Sequence, residues 1–175
     1  WYSGAGIYRD VTLHTLPARY VEMDGVYACT EQTGEGWRLT LETELTGPEG
    51  GETLCHRLLD EEGNTVAETS VPAAGDKQTV SLTVEKPLLW SCDHPNCYVL
   101  ETTLGSHCIR QHVGFRKAEL TTDKGLFLNG EHVKLHGVCL HHDLGALGAA
   151  FNEKASHRQL RTIGGDVLPG QEGLF

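Results

Sequence analysis

The fold of this chain is decided by three neighbouring stretches: Gly114-Phe-Arg116, Leu126-Phe-Leu-Asn-Gly130 and Leu135-His-Gly-Val-Cys-Leu-His-His-Asp143. The apolar run Leu126–Leu128 leads into Asn129-Gly130, the dipeptide that best tolerates the positive φ angles of a two-residue turn. Apolar residues alternate again behind the turn, at Val133 and Leu135. The sequence therefore predicts a β-hairpin centred on Asn129-Gly130.

The segment after the hairpin is apolar and then abruptly polar. Gly137-Val-Cys-Leu140 suits a strand that is buried on both faces, as in a parallel sheet. His141, His142 and Asp143 follow where this strand should end. Barrels of parallel strands collect their functional side chains at the carboxyl ends of those strands. These three residues are therefore the best candidates for a site.

A helix is predicted beyond this polar tip. Asn152 is suited to an N-cap, and the helix should run from Glu153 to Ile163 and stop at Gly164-Gly165. Strand, polar tip, loop and helix make one βα unit. A closed barrel of such units needs about 250 residues, so this chain can contain only its beginning.

The residues before the hairpin have the pattern of a β-sandwich. In Trp37–Leu45, apolar side chains at 37, 39, 41 and 45 alternate with Arg38, Glu42 and Glu44, which is typical of a half-buried antiparallel strand. Further strands are predicted at Leu54–Leu59, Val66–Val71, Thr79–Glu85, Tyr98–Leu104 and Cys108–Val113. About seven short strands in about 100 residues indicate an immunoglobulin-like sandwich. One more strand is expected earlier in the chain, at Ile7–Leu13.

Composition excludes several classes of protein. The 175 residues carry a net charge of −10, so no basic surface is expected that could bind nucleic acid or anionic lipid. No apolar run approaches the roughly 20 residues of a membrane helix. We expect a soluble protein, whether cytoplasmic, periplasmic or secreted. The six cysteines are interpreted as mostly free, small core residues, with one disulfide left open.

The motifs resemble a known family when they are taken together. The combination of Gly-Phe-Arg, Phe-x-Leu-Asn-Gly and Gly-Val-x-x-His-x-Asp, preceded by the motif Trp-x-x-Gly-x-Gly-Ile-Tyr-Arg-Asp-Val of residues 1–11, resembles glycoside hydrolase family 2. This family contains β-galactosidases and β-glucuronidases. The segment that begins with Gly-Val-Cys-Leu-His-His-Asp is most similar to the β-galactosidase branch. The resemblance implies a jelly-roll tail at 1–16, an immunoglobulin-like sandwich at 17–117 and the truncated start of a TIM barrel at 118–175.

The resemblance also implies which residues are functional. Retaining glycosidases use two carboxylates about 5–5.5 Å apart, and in the family these are glutamates on later barrel strands. Asn152-Glu153 is interpreted as a helix start instead. We therefore expect no catalytic residue, cofactor or metal in this chain, and no activity of the chain alone. His141, His142 and Asp143 are expected to bind the carbohydrate substrate in the intact enzyme, which hydrolyses terminal β-glycosides with retention.

Two alternatives stay open at this point. A free-standing adhesive or carbohydrate-binding module would need exposed aromatic residues, for which Tyr20, Tyr27, Trp37 and Trp90 are available. Trp37 is predicted to face inward, and Trp90 is interpreted as a packing residue. A zinc domain could use Cys92, His94 and Cys97 with histidines further on, but this spacing is not that of a structural zinc site. We also expect the protein to form a homo-oligomer.

Overall fold

The computed structural model describes residues 6–7, 9–34, 36–135, 137, 139, 141 and 144–162. The chain divides into two compact units. One is Thr15–Leu135, and the other combines Trp1–His14 with His136–Phe175. No helix in the described part of the chain is both long and apolar enough to cross a bilayer.

Seven antiparallel strands of the first unit form a two-sheet sandwich. They are β1 (Tyr20–Thr33), β2 (Gly36–Thr46), β3 (Thr53–Leu59), β4 (Thr65–Pro72), β5 (Lys77–Val84), β6 (Tyr98–Leu104) and β7 (His107–Val113). One sheet has the order β1-β2-β5 and the other the order β4-β3-β6-β7. The predicted mainly-β, immunoglobulin-like sandwich is confirmed.

Alternate residues of these strands fill the core. The fully buried side chains include Leu39 and Leu41 of one sheet and Leu54, Leu58 and Leu100 of the other. Because successive strand residues point to opposite faces, the same strands expose polar side chains outside. Trp37 is 6% exposed, which confirms that it faces inward.

Phe115, from the Gly-Phe-Arg motif, lies at one end of this core. Its ring is fully buried and meets two other aromatic rings edge to face, Trp37 at 5.9 Å and Tyr98 at 5.3 Å. Such edge-to-face pairs add about 0.5–1.5 kcal/mol to the effect of burial. The motif therefore fixes the end of the sandwich from which the chain continues to the hairpin.

A second, smaller sheet follows the sandwich. It consists of β8 (Ala118–Thr121), β9 (Gly125–Leu128) and β10 (Glu131–Val133) in the order β10-β9-β8. The turn between β9 and β10 has φ angles of 52° at Asn129 and 86° at Gly130. The predicted hairpin is confirmed, including the positive φ angles for which this dipeptide is suited.

Arg19 ties together two loops at one end of the sandwich. The side chain is 4% exposed, and its guanidinium donates to the carbonyl oxygens of Gly47 at 2.7 Å and Gly75 at 2.8 Å. A Cβ atom at Gly47 would lie 1.9 Å from the carbonyl oxygen of Ala18, so only glycine fits there. Both terminal nitrogens of the guanidinium are thus paired with backbone carbonyls, as a buried charge requires, whereas the buried Nε has no hydrogen-bond partner among the described residues.

The second unit contains the helix α1 (Glu153–Thr162) and a short 3-10 turn at Gly145–Leu147. Asn152 accepts a hydrogen bond from the backbone N–H of Ala155 through its Oδ1 atom, at 3.0 Å. The predicted N-cap is therefore confirmed. Glu153 occupies the first turn of the helix, where a negative charge is favoured.

Two strand predictions in this unit are wrong for the residues that the structure describes. In the predicted strand Ile7–Leu13, Ile7 and the residues from Arg9 onward are irregular, and so are Gly137 and Cys139 of the predicted strand Gly137–Leu140. A strand requires a neighbour for its backbone hydrogen bonds. The apolar pattern of a segment indicates that it can be buried, but it does not show that a neighbouring strand is present.

The cysteine prediction is half right. All six cysteines are free, but none is buried: Cys55 and Cys97 are intermediate and the other four are exposed. Cys55 lies between the inward residues Leu54 and His56, and Cys108 lies next to the inward-facing Ile109. Strand alternation therefore turns both thiols outward.

Candidate functional site

Only His141 of the three predicted site residues is described, because His142 and Asp143 lie outside the described residues. His141 is exposed and belongs to no strand or helix. Within the described ranges, no three histidine, cysteine, aspartate or glutamate side chains come together as a metal site would require. The carbohydrate-contact role of the three residues stays a prediction.

The region that leads toward these residues is held by a joint between the sandwich and the small sheet, formed by Trp90, Arg116, Lys117 and Asn129. Asn129 accepts the backbone N–H of Lys117 at 2.9 Å through Oδ1, and its Nδ2 donates to the carbonyl oxygen of Trp90 at 3.0 Å. Its own backbone N–H donates to the carbonyl of Lys117 at 2.8 Å. One turn residue thus binds two separate segments of the sandwich end.

Trp90 forms the other half of this joint. Its backbone N–H donates to the carbonyl oxygen of Phe115 at 2.8 Å, and the Arg116 guanidinium carbon lies 4.9 Å from the ring centre. A Cβ atom at Gly114 would lie 3.1 Å from Cβ of Trp90, so the motif's glycine permits the close approach. The packing interpretation of Trp90 is confirmed.

A groove of about 600 Å³ lies beside the joint, between the loop after Trp90 and the β9–β10 hairpin. Its lining is mixed, with Asp93 and His94 from the loop and Glu131 and His132 from the hairpin. The His132 ring contacts Phe127 edge to face at 5.5 Å. The groove combines polar side chains of both the loop and the hairpin.

The inner face of β3 carries a buried histidine. His56 is fully buried and lies between two threonine hydroxyls, with Nδ1 3.0 Å from Thr102 Oγ1 and Nε2 3.3 Å from Thr43 Oγ1. Thr43 belongs to the opposite sheet, so the imidazole links the two sheets through the core. Burial lowers the pKa of His56 to about 4, because the charged form loses its hydration. At neutral pH the bridge is therefore uncharged.

The outer face of the same sheet carries an ion-pair ladder formed by Arg57, Glu101 and Arg110. The Glu101 side chain is 5% exposed, and it accepts from Arg57 Nε at 3.0 Å and from Arg110 Nε at 2.7 Å. A hydrogen bond from Arg57, and after it in size one from Arg110, hold the pKa of Glu101 below its usual value. This glutamate is bound to two cations, so it is a structural group and not a poised acid or base.

Neither the buried histidine nor the ladder is predicted from the sequence. His56 does carry a signal, since it stands at an inward position between Leu54 and Leu58. The ladder joins residues that are 44 positions apart, Arg57 and Glu101, so it becomes visible only once the register of β3 and β6 is known.

Comparison with known proteins identifies the class. The chain is 40% identical to the β-galactosidase BoGH2A of Bacteroides ovatus over 93% of its length, covering 21% of that protein. It is 30% identical to a β-galactosidase of Halalkalibacterium halodurans over 91% of its length, covering 16% of that protein. The crystal structure of a glycosyl hydrolase family 2 member from Bacteroides cellulosilyticus superposes with a TM-score of 0.80 at 27% identity, over 94% of this chain and 24% of that one. The sandwich is that of a glycoside hydrolase.

The family follows from the match of a family model. The model described as "Glycosyl hydrolases family 2" matches residues 25–116, which is more than half of the chain. The chain belongs to glycosyl hydrolase family 2. It spans about one sixth to one fifth of the length of the curated relatives that it matches.

Proposed function

We propose that this chain is a non-catalytic part of a family 2 glycoside hydrolase, that this enzyme is a β-galactosidase, and that the sandwich supports its catalytic barrel. The joint of Trp90, Arg116, Lys117 and Asn129 carries this proposal. It fixes the hairpin on the sandwich with hydrogen bonds of 2.8–3.0 Å. In the proposed enzyme, the catalytic barrel begins after this hairpin.

The parent enzyme is proposed to hydrolyse terminal β-linked sugars with retention. His141, His142 and Asp143 would contact the sugar there, since imidazole nitrogens and carboxylate oxygens can hydrogen-bond sugar hydroxyls. The relatives that are called β-galactosidases favour a β-galactoside as the substrate. A homo-oligomer is part of the same proposal.

The first experiment is hydrolysis of chromogenic β-galactoside and β-glucuronide by the purified 175-residue chain. We expect no turnover. Glu101 is bound to two arginines, and Glu153 lies in the first turn of a helix, so neither is placed as a catalytic carboxylate. Turnover of either substrate would disprove the non-catalytic role.

The supporting role predicts a second result. Asn129→Gly keeps the positive φ angle of the turn but removes both side-chain hydrogen bonds of the joint. Hydrogen exchange of β9 and β10 should then quicken about 10-fold, as expected for a loss of about 1.4 kcal/mol, while the sandwich strands stay protected. Asp123→Gly, in the exposed turn between β8 and β9, is the matched control. Equal effects of the two changes would contradict the role of the joint.

The alternative function, a free-standing carbohydrate-binding module, has less support. Trp37 is buried and Trp90 packs against Arg116, whereas Tyr27 is 64% exposed. A panel of glycans that leaves tryptophan fluorescence unchanged would count against a sugar platform at Trp90. A saturable change with one glycan would favour the module instead.

A further inference from the structure

The sandwich has two sides at which the edges of its two sheets face each other, and these sides are covered to different extents. On one side, the chain passes directly from β4 to β5, and Gln78 donates from Nε2 to the carbonyl of Pro72 at 2.7 Å. On the other side, β1 and β7 leave a groove of about 410 Å³ between them. This groove is bounded by Val21 N–H donating to His107 Nδ1 at 3.1 Å and by Thr30 Oγ1 donating to the Gly114 carbonyl at 3.4 Å.

The register of β1 determines which backbone groups point into this groove. Thr33 and Gly36 close a two-residue hairpin, so they form a hydrogen-bonded pair, and such pairs alternate along an antiparallel ladder. The backbone N–H and C=O groups that point away from β2 belong to Val26, Ala28, Thr30 and Gln32. Among the strands described, β2 is the only one hydrogen-bonded to β1.

The second half of β1, residues 26–33, lacks the usual protection of an edge strand. Proteins block edges with bulges, lysines or prolines. The first half of β1 has such a bulge, between Val21 and Val26. The second half has no lysine or proline, and its one charged residue, Glu31, pairs with Arg38 at 3.8 Å. We call residues 26–33 the open edge.

We propose that the open edge pairs antiparallel with the open edge of a second copy of this chain, which joins two three-stranded sheets into one sheet of six strands. The backbone groups of the edge can all pair with those of a second copy in one register. In this register, Ala28 lies opposite Thr30 of the second copy and Val26 lies opposite its Gln32. No other register pairs the backbone groups of all four residues that point away from β2. This inference deepens the homo-oligomer part of the proposed function and does not depend on the supporting role.

This register places one residue on the two-fold axis. Cys29 lies opposite Cys29 of the second copy, in a non-hydrogen-bonded pair whose Cα atoms are about 4.5 Å apart. That distance falls in the range of about 4.4–6.8 Å found for disulfides. The Cys29 thiol is free and exposed in the single chain. The same register brings Tyr27, 64% exposed, opposite Glu31 of the second copy, where its hydroxyl can donate to the carboxylate.

The test is the mass of the 175-residue chain in reducing buffer, by light scattering from about 1 μM to about 100 μM. The wild-type mass should rise from 19.1 kDa toward twice that value. Cys29→Lys should stay at the mass of one chain, because like charges directly opposite each other repel. Cys108→Lys, which also replaces an exposed cysteine, should behave as wild type. Added salt should strengthen the dimer, since each copy carries a net charge of −10 and salt screens the repulsion.

A cross-link provides a second measurement that does not depend on the folding of a lysine variant. Oxidised glutathione takes two electrons and two protons from the two Cys29 thiols and leaves as two molecules of reduced glutathione. A disulfide-linked dimer should form in Cys108→Ala and be lost in Cys29→Ala. A wild-type chain that stays monomeric, or a dimer that survives Cys29→Lys and does not cross-link through Cys29, overturns the proposal.

Discussion

Residues that are adjacent in sequence lie on opposite faces of one sheet, and the two faces pair their buried polar side chains in different ways. His56 and Thr102 face the core, where a neutral ring is matched by hydroxyls alone. Their neighbours Arg57 and Glu101 face outward, where a nearly buried carboxylate is matched by two partly exposed guanidinium groups. Inside the core, the histidine loses its charge because burial removes the hydration of the charged form. Outside, the glutamate keeps its charge because two arginine side chains donate hydrogen bonds to it.

The largest expected effect is at the inner face. His56→Ala removes a bridge between the two sheets, opens a cavity and leaves the hydroxyls of Thr43 and Thr102 buried without this partner. We expect the free energy of unfolding to fall by about 3–4 kcal/mol, measured by urea unfolding with fluorescence of the buried Trp37. His112→Ala, which truncates an exposed histidine on β7, should change it by less than about 0.5 kcal/mol. Similar losses in the two variants would contradict the role of the bridge.

The next effect depends on pH. Because the pKa of His56 is lowered to about 4 in the folded chain, the unfolded chain binds one proton more than the folded chain between about pH 6.5 and pH 4. Stability is therefore lost as the pH falls through this window, by up to about 3 kcal/mol from this residue. The lowered pKa of Glu101 acts later, since its contribution is present above its ordinary pKa and is lost at lower pH.

The measurement is the stability of wild type and His56→Ala as a function of pH. The difference between the two curves should shrink by about 1.4 kcal/mol per pH unit below pH 6.5. A constant difference down to pH 4 would mean that the imidazole titrates normally. That result would remove the contrast between the two faces.

The smallest effect is expected at the outer face. Glu101→Gln keeps the shape of the side chain but gives up the charge in two hydrogen-bonded ion pairs, and we expect a loss of about 1 kcal/mol. The arginines are 48% and 70% exposed, so water replaces part of the interaction. Glu68→Gln is the matched control, because Glu68 is exposed in the same cross-strand row, opposite Arg57. If both changes cost the same, the burial of Glu101 between two cations has no special role.

The sequence predicts the part of this fold that alternation governs. The strand predicted at Tyr98–Leu104 has the observed bounds, and the one at Leu54–Leu59 differs by one residue. The long strand β1 was not predicted, because the bulge between Val21 and Val26 interrupts its alternation. β8 was also missed, because a strand of four exposed residues with only two apolar side chains, Ala118 and Leu120, gives too short a pattern.

The candidate site was less predictable than the fold. Asn129 could be predicted as a turn residue from its dipeptide, but its side-chain contact with Trp90 joins positions 39 apart. Distances of this kind depend on how segments pack and not on local pattern. For the same reason, the residue types at His141, His142 and Asp143 suggest chemistry without establishing what they contact.

Arg19 also bears on where this sandwich could accept foreign sequence. Its guanidinium connects the loops at Gly47 and Gly75, so a peptide inserted in either loop would disturb a buried cation and the other loop as well. The turn at Glu61-Glu62-Gly63 is exposed and is closed by local bonds between Asp60 and Asn64. An epitope or a reporter domain placed in that turn would lengthen a loop at a cost that grows only slowly with its length. The sandwich thus has one end suited to engineering and one end that is not.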